Sequence, residues 1–143
     1  MKLLSILLSL ILISNHAKIE EKDILGKWLT GNKKGHVEIY KQGNKIFGKL
    51  VWLSEPLNKA GKPKVDEKNP DKARQNDPIL GLNLLKNFEY EGNGVWEDGT
   101  IYDPENGKTY SCILTLQNSN TLDVRGYIGF SLIGRTDTWT KTK

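Results

Sequence analysis

Clusters of turn-forming residues divide this chain and limit what it can become. QGN (42–44), EGNG (91–94), DPENG (103–107) and NSN (118–120) each stand between runs in which apolar and polar residues alternate. Such alternation has the two-residue period of a strand with one buried face, and short Gly/Asn turns join antiparallel neighbours. HVEIYKQ and KIFGKLVWL, on either side of QGN, show the pattern. EEKDILGKWL near the start predicts one turn of helix and then a strand through Trp28, with GNKKG (31–35) as a loop. No long helical period competes. The expected fold is all-β, an antiparallel meander whose strands must hide their edges. Closure into a barrel of about eight strands does so, and leaves an interior for side chains or one small ligand. A two-sheet β-sandwich is the alternative.

Residues 1–17 stand apart. MKLLSILLSLILISNHA carries one basic residue, Lys2, then an unbroken apolar run over 3–13, then small and polar residues. The run is too short to span a bilayer and has the length of a secretory h-region, so a signal peptide cleaved after Ala17 is expected. The protein is then exported, periplasmic or secreted, with a single domain over 18–143 and no transmembrane helix in the mature chain. The 143 residues have room for one domain. A formal net charge of +4 comes from lysines scattered among acids, which argues against a nucleic-acid partner. Cys112 is the only cysteine, so no intrachain disulfide or cysteine metal cluster can form. In SCILTL it reads as a buried, inert thiol. His36 is the one histidine beyond the leader, which argues against a His-rich zinc site or a histidine relay. No metal or cofactor is expected.

One segment breaks the rhythm of strands. Residues 54–78 carry Pro56, Pro63, Pro70 and Pro78, many charges and little apolar content. A loop of that length in a compact domain is a lid, a binding loop or a solvated excursion. Asn69-Pro70 predicts the cap and first position of a short helix. Asp66 and Asn69 suit either a polar ligand or turn formation, and Arg74 is one of three arginines in the chain.

GTIYDPENGKTY (99–110) holds the densest polar chemistry. Asp103, Pro104, Asn106 and Gly107 have the residue types of a tight turn, and their spacing breaks that of a calcium loop. Strict alternation places Trp96, Asp98, Thr100 and Tyr102 on one face, and Tyr110, Cys112, Leu114 and Leu116 together on the next strand. Tyr102, Lys108 and Tyr110 are thereby candidates for the rim of a pocket. Arg125 and Tyr127 share a face of VRGY, where a guanidinium and a phenol suit a carboxylate or phosphate. Leu122, Val124 and Ile128 form the more apolar opposite face, so alternation favours an outward Arg125. Trp52 and Trp96 suit a pocket wall or the core. No G-x-S-x-G elbow occurs, and Ser54, Ser111 and Ser131 have no evident base. Asp98 and Asp103 are the only carboxylate pair a hydrolase reading offers.

Gly26-Lys27-Trp28 matches the G-x-W pattern of the calycin barrels, the lipocalins and their relatives. That likeness implies a late-strand arginine packed on Trp28 to close the barrel end, a role Arg135 in GRTDTW would fill; Trp139, on the same face, would stack with it. The Arg125-x-Tyr127 pair resembles the carboxylate clamp of intracellular fatty-acid-binding barrels. Taken in order, GKW, GKLVWL, Asp66-x-x-Asn69, GTIYDPENGKTY, VRGYIG and GRTDTW resemble a bacterial exported family catalogued as domain of unknown function 2147. That resemblance covers nearly all of 24–141 and implies export and a barrel-like fold. It also implies an arginine just before the proline of the L-x-G-L segment, where this chain has Asp77 before Pro78.

These residues lead to an exported calycin-like barrel binding a small amphipathic or acidic molecule. Arg125, Tyr127 and Arg74 would anchor it; Asp66, Tyr102 and Lys108 would add polar contacts, and Trp52, Trp96 and Tyr110 an apolar wall. Two alternatives stand: a cell-envelope interaction module without a cavity, and a hydrolase with its base near Asp103.

Overall fold

The computed structural model describes residues 17–143; the expected leader therefore lies outside the described residues except for Ala17. A 3-10 turn at Glu21–Ile24 precedes eight strands: β1 Gly26–Leu29, β2 Gly35–Gln42, β3 Lys45–Leu53, β4 Asn83–Gly92, β5 Val95–Asp103, β6 Lys108–Asn118, β7 Thr121–Tyr127 and β8 Gly134–Lys141. Each pairs antiparallel with the next, and β1 pairs with β8 through Trp28↔Lys141 and Leu29↔Thr140. The barrel is closed, so the sandwich alternative falls. Among the described residues no helix is long and apolar enough to cross a membrane.

The turns do what their residues suggest. Asn93 (φ 54°) and Gly94 (φ 74°) both take the left-handed conformation that a two-residue hairpin with matching twist requires. Gly107 is also left-handed (φ 73°), and a Cβ there would overlap the Lys68 carbonyl. DPENG is thus a turn and also a seat for the long 54–82 connection.

Inward residues fill the barrel. Trp28, Trp96, Phe88, Ile39, Ile46, Leu85, Leu114 and Leu122 are all buried in one cluster. Burial of one such side chain stabilises by about 1.5–3 kcal/mol. The wall makes room for them: a Cβ on Gly99 would overlap the Phe88 ring. Cys112 lies in this core with its thiol pushed up to about 12 by burial, an unreactive setting.

Two irregularities alter the alternation read from sequence. Register shifts between Trp96 and Gly99, where Asp98 takes φ 63°. Trp96 therefore points inward while Thr100 and Tyr102, two and four residues beyond the bulge, point outward; they do not share a face. On β4 the doublet Leu84-Leu85 is buried throughout, across a shift in the β3–β4 register.

The end of the barrel bearing the β2–β3, β4–β5 and β6–β7 turns is plugged. Trp28 Nε1 donates to the Ile24 carbonyl at 2.8 Å, tying the 3-10 turn across it. Lys141 Nζ donates to the Asp23 carbonyl at 2.7 Å and sits 5.3 Å from the Trp28 ring centroid. Here the calycin likeness needs correction. The cation over Trp28 is Lys141, whereas Arg135 pairs with Gly126 six residues earlier on β8, about 20 Å away at strand spacing, and is exposed. Trp139 donates to Asp137 Oδ2 at 2.7 Å.

Lys141 thus carries the closing role, as a cation–π partner and as a charged hydrogen-bond donor. Lys141→Ala is expected to lower the equilibrium unfolding free energy by about 1–3 kcal/mol in urea melts, and Arg135→Ala to leave the midpoint unmoved. The reverse order would restore Arg135 as the closing residue.

Candidate functional site

The long connection folds back on the outside of the barrel and makes the most developed polar site. Its two limbs are held by bridges Leu57↔Pro63 and Val65↔Pro78. A 3-10 turn at Lys72–Arg74 is capped by Asp71, whose Oδ1 accepts from Ala73 N at 3.0 Å. The expected cap at Asn69 is displaced by two residues; Asn69 Oδ1 accepts from Asp71 N at 2.9 Å and shapes the turn before it.

Asp66 fastens this loop to the wall. It is fully buried, an unusual place for a carboxylate, and both oxygens are used. Oδ1 accepts from Tyr102 Oη on β5 at 2.7 Å, and Oδ2 from Asn69 Nδ2 at 2.8 Å. Its backbone N–H donates to the Asp77 carbonyl at 2.9 Å. Burial, then the bond to Asp66, then the charges of Asp66 and Asp103, push the Tyr102 phenol up to about 12. Tyr102 stays protonated as the donor.

Beside this latch lie two adjoining clefts of about 320 and 330 Å³. Both are lined by Arg74 from the loop and by Leu82, Asn83 and Lys86 at the start of β4. The first extends over Thr100, Tyr102 and Thr109 on β5 and β6, the second toward Asp77 and Leu80. Arg74 lies 3.7 Å from Asp71 and 4.0 Å from Asp77, so its charge is shared; Lys86 has no ion pair among the described residues.

Of the residues singled out from sequence, Asp66, Tyr102 and Arg74 converge here. The others are elsewhere. Arg125 and Tyr127 lie on the outer face of β7, opposite the inward Leu122 and Val124. The donors of Arg125 are spent on Ser131 O (2.7 Å), Thr136 Oγ1 (2.9 Å) and Leu132 O (3.4 Å). Trp96 is in the core, tilted against Tyr90 at 4.7 Å, and its buried Nε1 has no acceptor among the described residues. Trp52 is half-exposed on the outside, 4.7 Å from His36. Tyr110 accepts from Asn106 Nδ2 at 2.9 Å, and Lys108 is exposed at the start of β6. Asp98 and Asp103 stand five residues apart on one strand, about 17 Å, beyond the spacing of a glycosidase pair. Sequence reading missed Asn83, Lys86, Thr100 and Thr109. The Leu84-Leu85 doublet was the available signal, since an apolar pair on an alternating strand marks a bulge that re-aims its neighbours.

Residues 26–141 match the profile of the bacterial family described as "Uncharacterized protein conserved in bacteria (DUF2147)". The chain belongs to that family. Among solved structures, this DUF2147 barrel is similar to protein HP1028 of the human pathogen Helicobacter pylori, described as belonging to the lipocalin family. The TM-score is 0.72 at 25% identity, over 83% of this chain and 82% of that one. No curated protein sequence matches. The fold and the family therefore fit a ligand-binding barrel of lipocalin type. The arginine expected before Pro78 is Asp77, but Arg74 brings its guanidinium within 4.0 Å of that carboxylate.

The latch has a measurable signature. Tyr102→Phe leaves Asp66 buried with one side-chain donor fewer, a cost of about 1–3 kcal/mol, read as faster tryptic cleavage at Lys59–Lys68. The phenol's pKa is raised from 10.0 to about 12 on folding, so its contribution is whole below pH 10 and lost as pH rises through 12. The stabilities of wild type and Tyr102→Phe should converge over that window. Cys112 titrates alike in both and cancels. A constant difference across the window would show that Tyr102 is not the titrating partner of Asp66.

Proposed function

We propose that this DUF2147 barrel is exported through a leader ending at Ala17. In the cell envelope it binds a small acidic molecule in the groove between the 54–82 connection and the outer wall of β4–β6. One observation carries the reading: Arg74 and Lys86, cations from two separate elements, face the same rim shared by both clefts. A carboxylate or phosphate between them would meet a forked guanidinium and a mobile ammonium, with Asn83, Thr100 and Thr109 as further partners. Asp71 and Asp77 temper the charge, and an acidic ligand competes with them for Arg74. The likeness to a lipocalin-family structure supports a small-ligand role. The filled interior favours the outer groove over the barrel axis, since an eight-stranded barrel holds either side chains or one ligand.

Titration of the protein with citrate and with inorganic phosphate, followed by backbone amide shifts, tests the site. Saturable shifts are expected at Lys86 and Thr100, weakening with salt. Arg74→Ala or Lys86→Ala should weaken binding by about tenfold or more, the range for loss of a hydrogen bond to a charged group. Shifts that persist in the double variant and vanish in Arg125→Ala would move the site to β7. Intact mass of the protein recovered from its host's envelope or medium should correspond to a chain starting at Lys18; a retained leader in a cytoplasmic fraction would overturn export.

A further inference from the structure

The β7–β8 connection, 128–133, carries the sequence IGFSLI. Four of its side chains are largely exposed: Ile128 at 70%, Phe130 at 76%, Leu132 at 92% and Ile133 at 72%. Four large apolar side chains on six successive residues form a patch of the kind that marks an interaction site on a soluble protein.

The loop holds a fixed shape that presents these side chains outward. Ile133 N–H donates to the Phe130 carbonyl at 3.0 Å, closing a turn. Arg125, on the outer face of β7, reaches up to the Ser131 and Leu132 carbonyls and to Thr136 Oγ1. A single guanidinium therefore pairs polar groups from both sides of the loop tip. That matters for the choice of partner. A backbone carbonyl carried out of water without a donor costs several kcal/mol in hydrocarbon, so a loop that enters the interfacial layer must bring its donors with it. Charge points the same way. The charged side chains of 124–136 are Arg125 and Arg135, one at each base of the loop. Of the flanking carboxylates, Asp123 accepts from Gln117 and Thr138, and Asp137 from Gly31 N and Trp139 Nε1. Lys33 and Lys34, in the β1–β2 loop, belong to the same end of the barrel.

We propose that the 128–133 loop docks the barrel onto an anionic lipid surface. Phe130, Leu132 and their neighbours enter the headgroup–acyl boundary with the tip carbonyls held by Arg125, while Arg135, Lys33 and Lys34 face the phosphates. The pattern is that of interfacial anchors, where apolar area and basic charge act together and neither suffices alone. The inference is independent of the groove, because the clefts and the loop share no residue.

Sedimentation with vesicles of phosphatidylglycerol mixed with phosphatidylcholine, against vesicles of phosphatidylcholine alone, tests it. Wild type is expected to bind the anionic vesicles at least about tenfold more tightly, since each basic residue near such a surface adds to the attraction. Phe130→Ser/Leu132→Ser should lose about tenfold or more on the anionic vesicles and keep its melting temperature, since both residues are exposed. Because 3–13 is itself apolar, insertion is also read at the loop. An environment-sensitive dye on Leu132→Cys should shift with anionic vesicles, whereas the same dye on Lys45→Cys, at the opposite end of the barrel, should not. Cys112 is buried and leaves the added thiol as the one labelled. Equal sedimentation of wild type and double variant, or an unshifted dye at 132, overturns the proposal. So does a concentration-dependent dimer that the double variant abolishes, which would assign the loop to a second copy of the chain.

Discussion

Barrel closure at the short β1–β8 seam governs much of the rest. The pairs Trp28↔Lys141 and Leu29↔Thr140, extended by Thr142 N donating to the Lys27 carbonyl at 2.9 Å, remove the last free edge. Such a short seam needs reinforcement, and the 3-10 turn supplies it. Ile24 plugs the end, Trp28 is tied to the turn backbone, and Lys141 bridges ring and carbonyl. An eight-stranded barrel so closed has an interior about one side chain wide, and Trp28, Phe88 and Trp96 occupy it. Chemistry is thereby pushed outward, to the wall and to the loops of the unplugged end.

What the long connection does on that wall depends on a buried carboxylate that has no ion pair among the described residues. Asp66 is satisfied by a phenol and an amide, which are neutral donors. Carboxylate burial is costly without such bonds, and removal of either donor leaves part of that cost exposed. A second contact acts with it: the Gly107 turn lets the Lys68 carbonyl approach where any Cβ would intrude. The polar knot at 99–110 has the hydrogen bonding of a turn: Asp103 Oδ1 accepts from Glu105 N and Asn106 Oδ1 from Lys108 N. It supplies, in Tyr102 and Gly107, two of the points on which the 54–82 connection rests, beside the backbone bonds of Gly81 and Leu82 to Leu50.

The barrel was legible in the sequence because its determinants are local. Turn clusters and two-residue alternation act within a few positions, and the strand order follows when each turn joins neighbours. The site was only partly legible because its determinants are not local. One inserted residue at Asp98 reverses the face of Thr100 and Tyr102, and alternation alone carries no mark of the insertion. Lys86 joins Arg74 only through the path of a proline-rich loop. Arg135 was assigned to Trp28 by analogy, but the register puts Lys141 beside that ring. The outward face of Arg125 was favoured by alternation, and the geometry adds what alternation could not, namely the carbonyls it holds.

The groove has one wall from the connection, through Asn69, Asp71 and Arg74, and one from the barrel, through Lys86, Thr100 and Thr109. The Asp66–Tyr102 bond is one of the contacts that hold these two walls together, beside the Lys68–Gly107 approach and the backbone bonds between Gly81, Leu82 and Leu50. A ligand that spans both walls binds the fastened state alone, so its apparent dissociation constant is the intrinsic one divided by the fraction fastened. Linkage requires the reverse as well: ligand binding holds the connection down by the same free energy. The latch tyrosine therefore enters the affinity as a population factor even where it makes no contact with the ligand. If the groove is the binding site, a change of ligand would act first on residues 54–82 and the strand starts they cover, since the opposite end is closed by Ile24, Trp28 and Lys141.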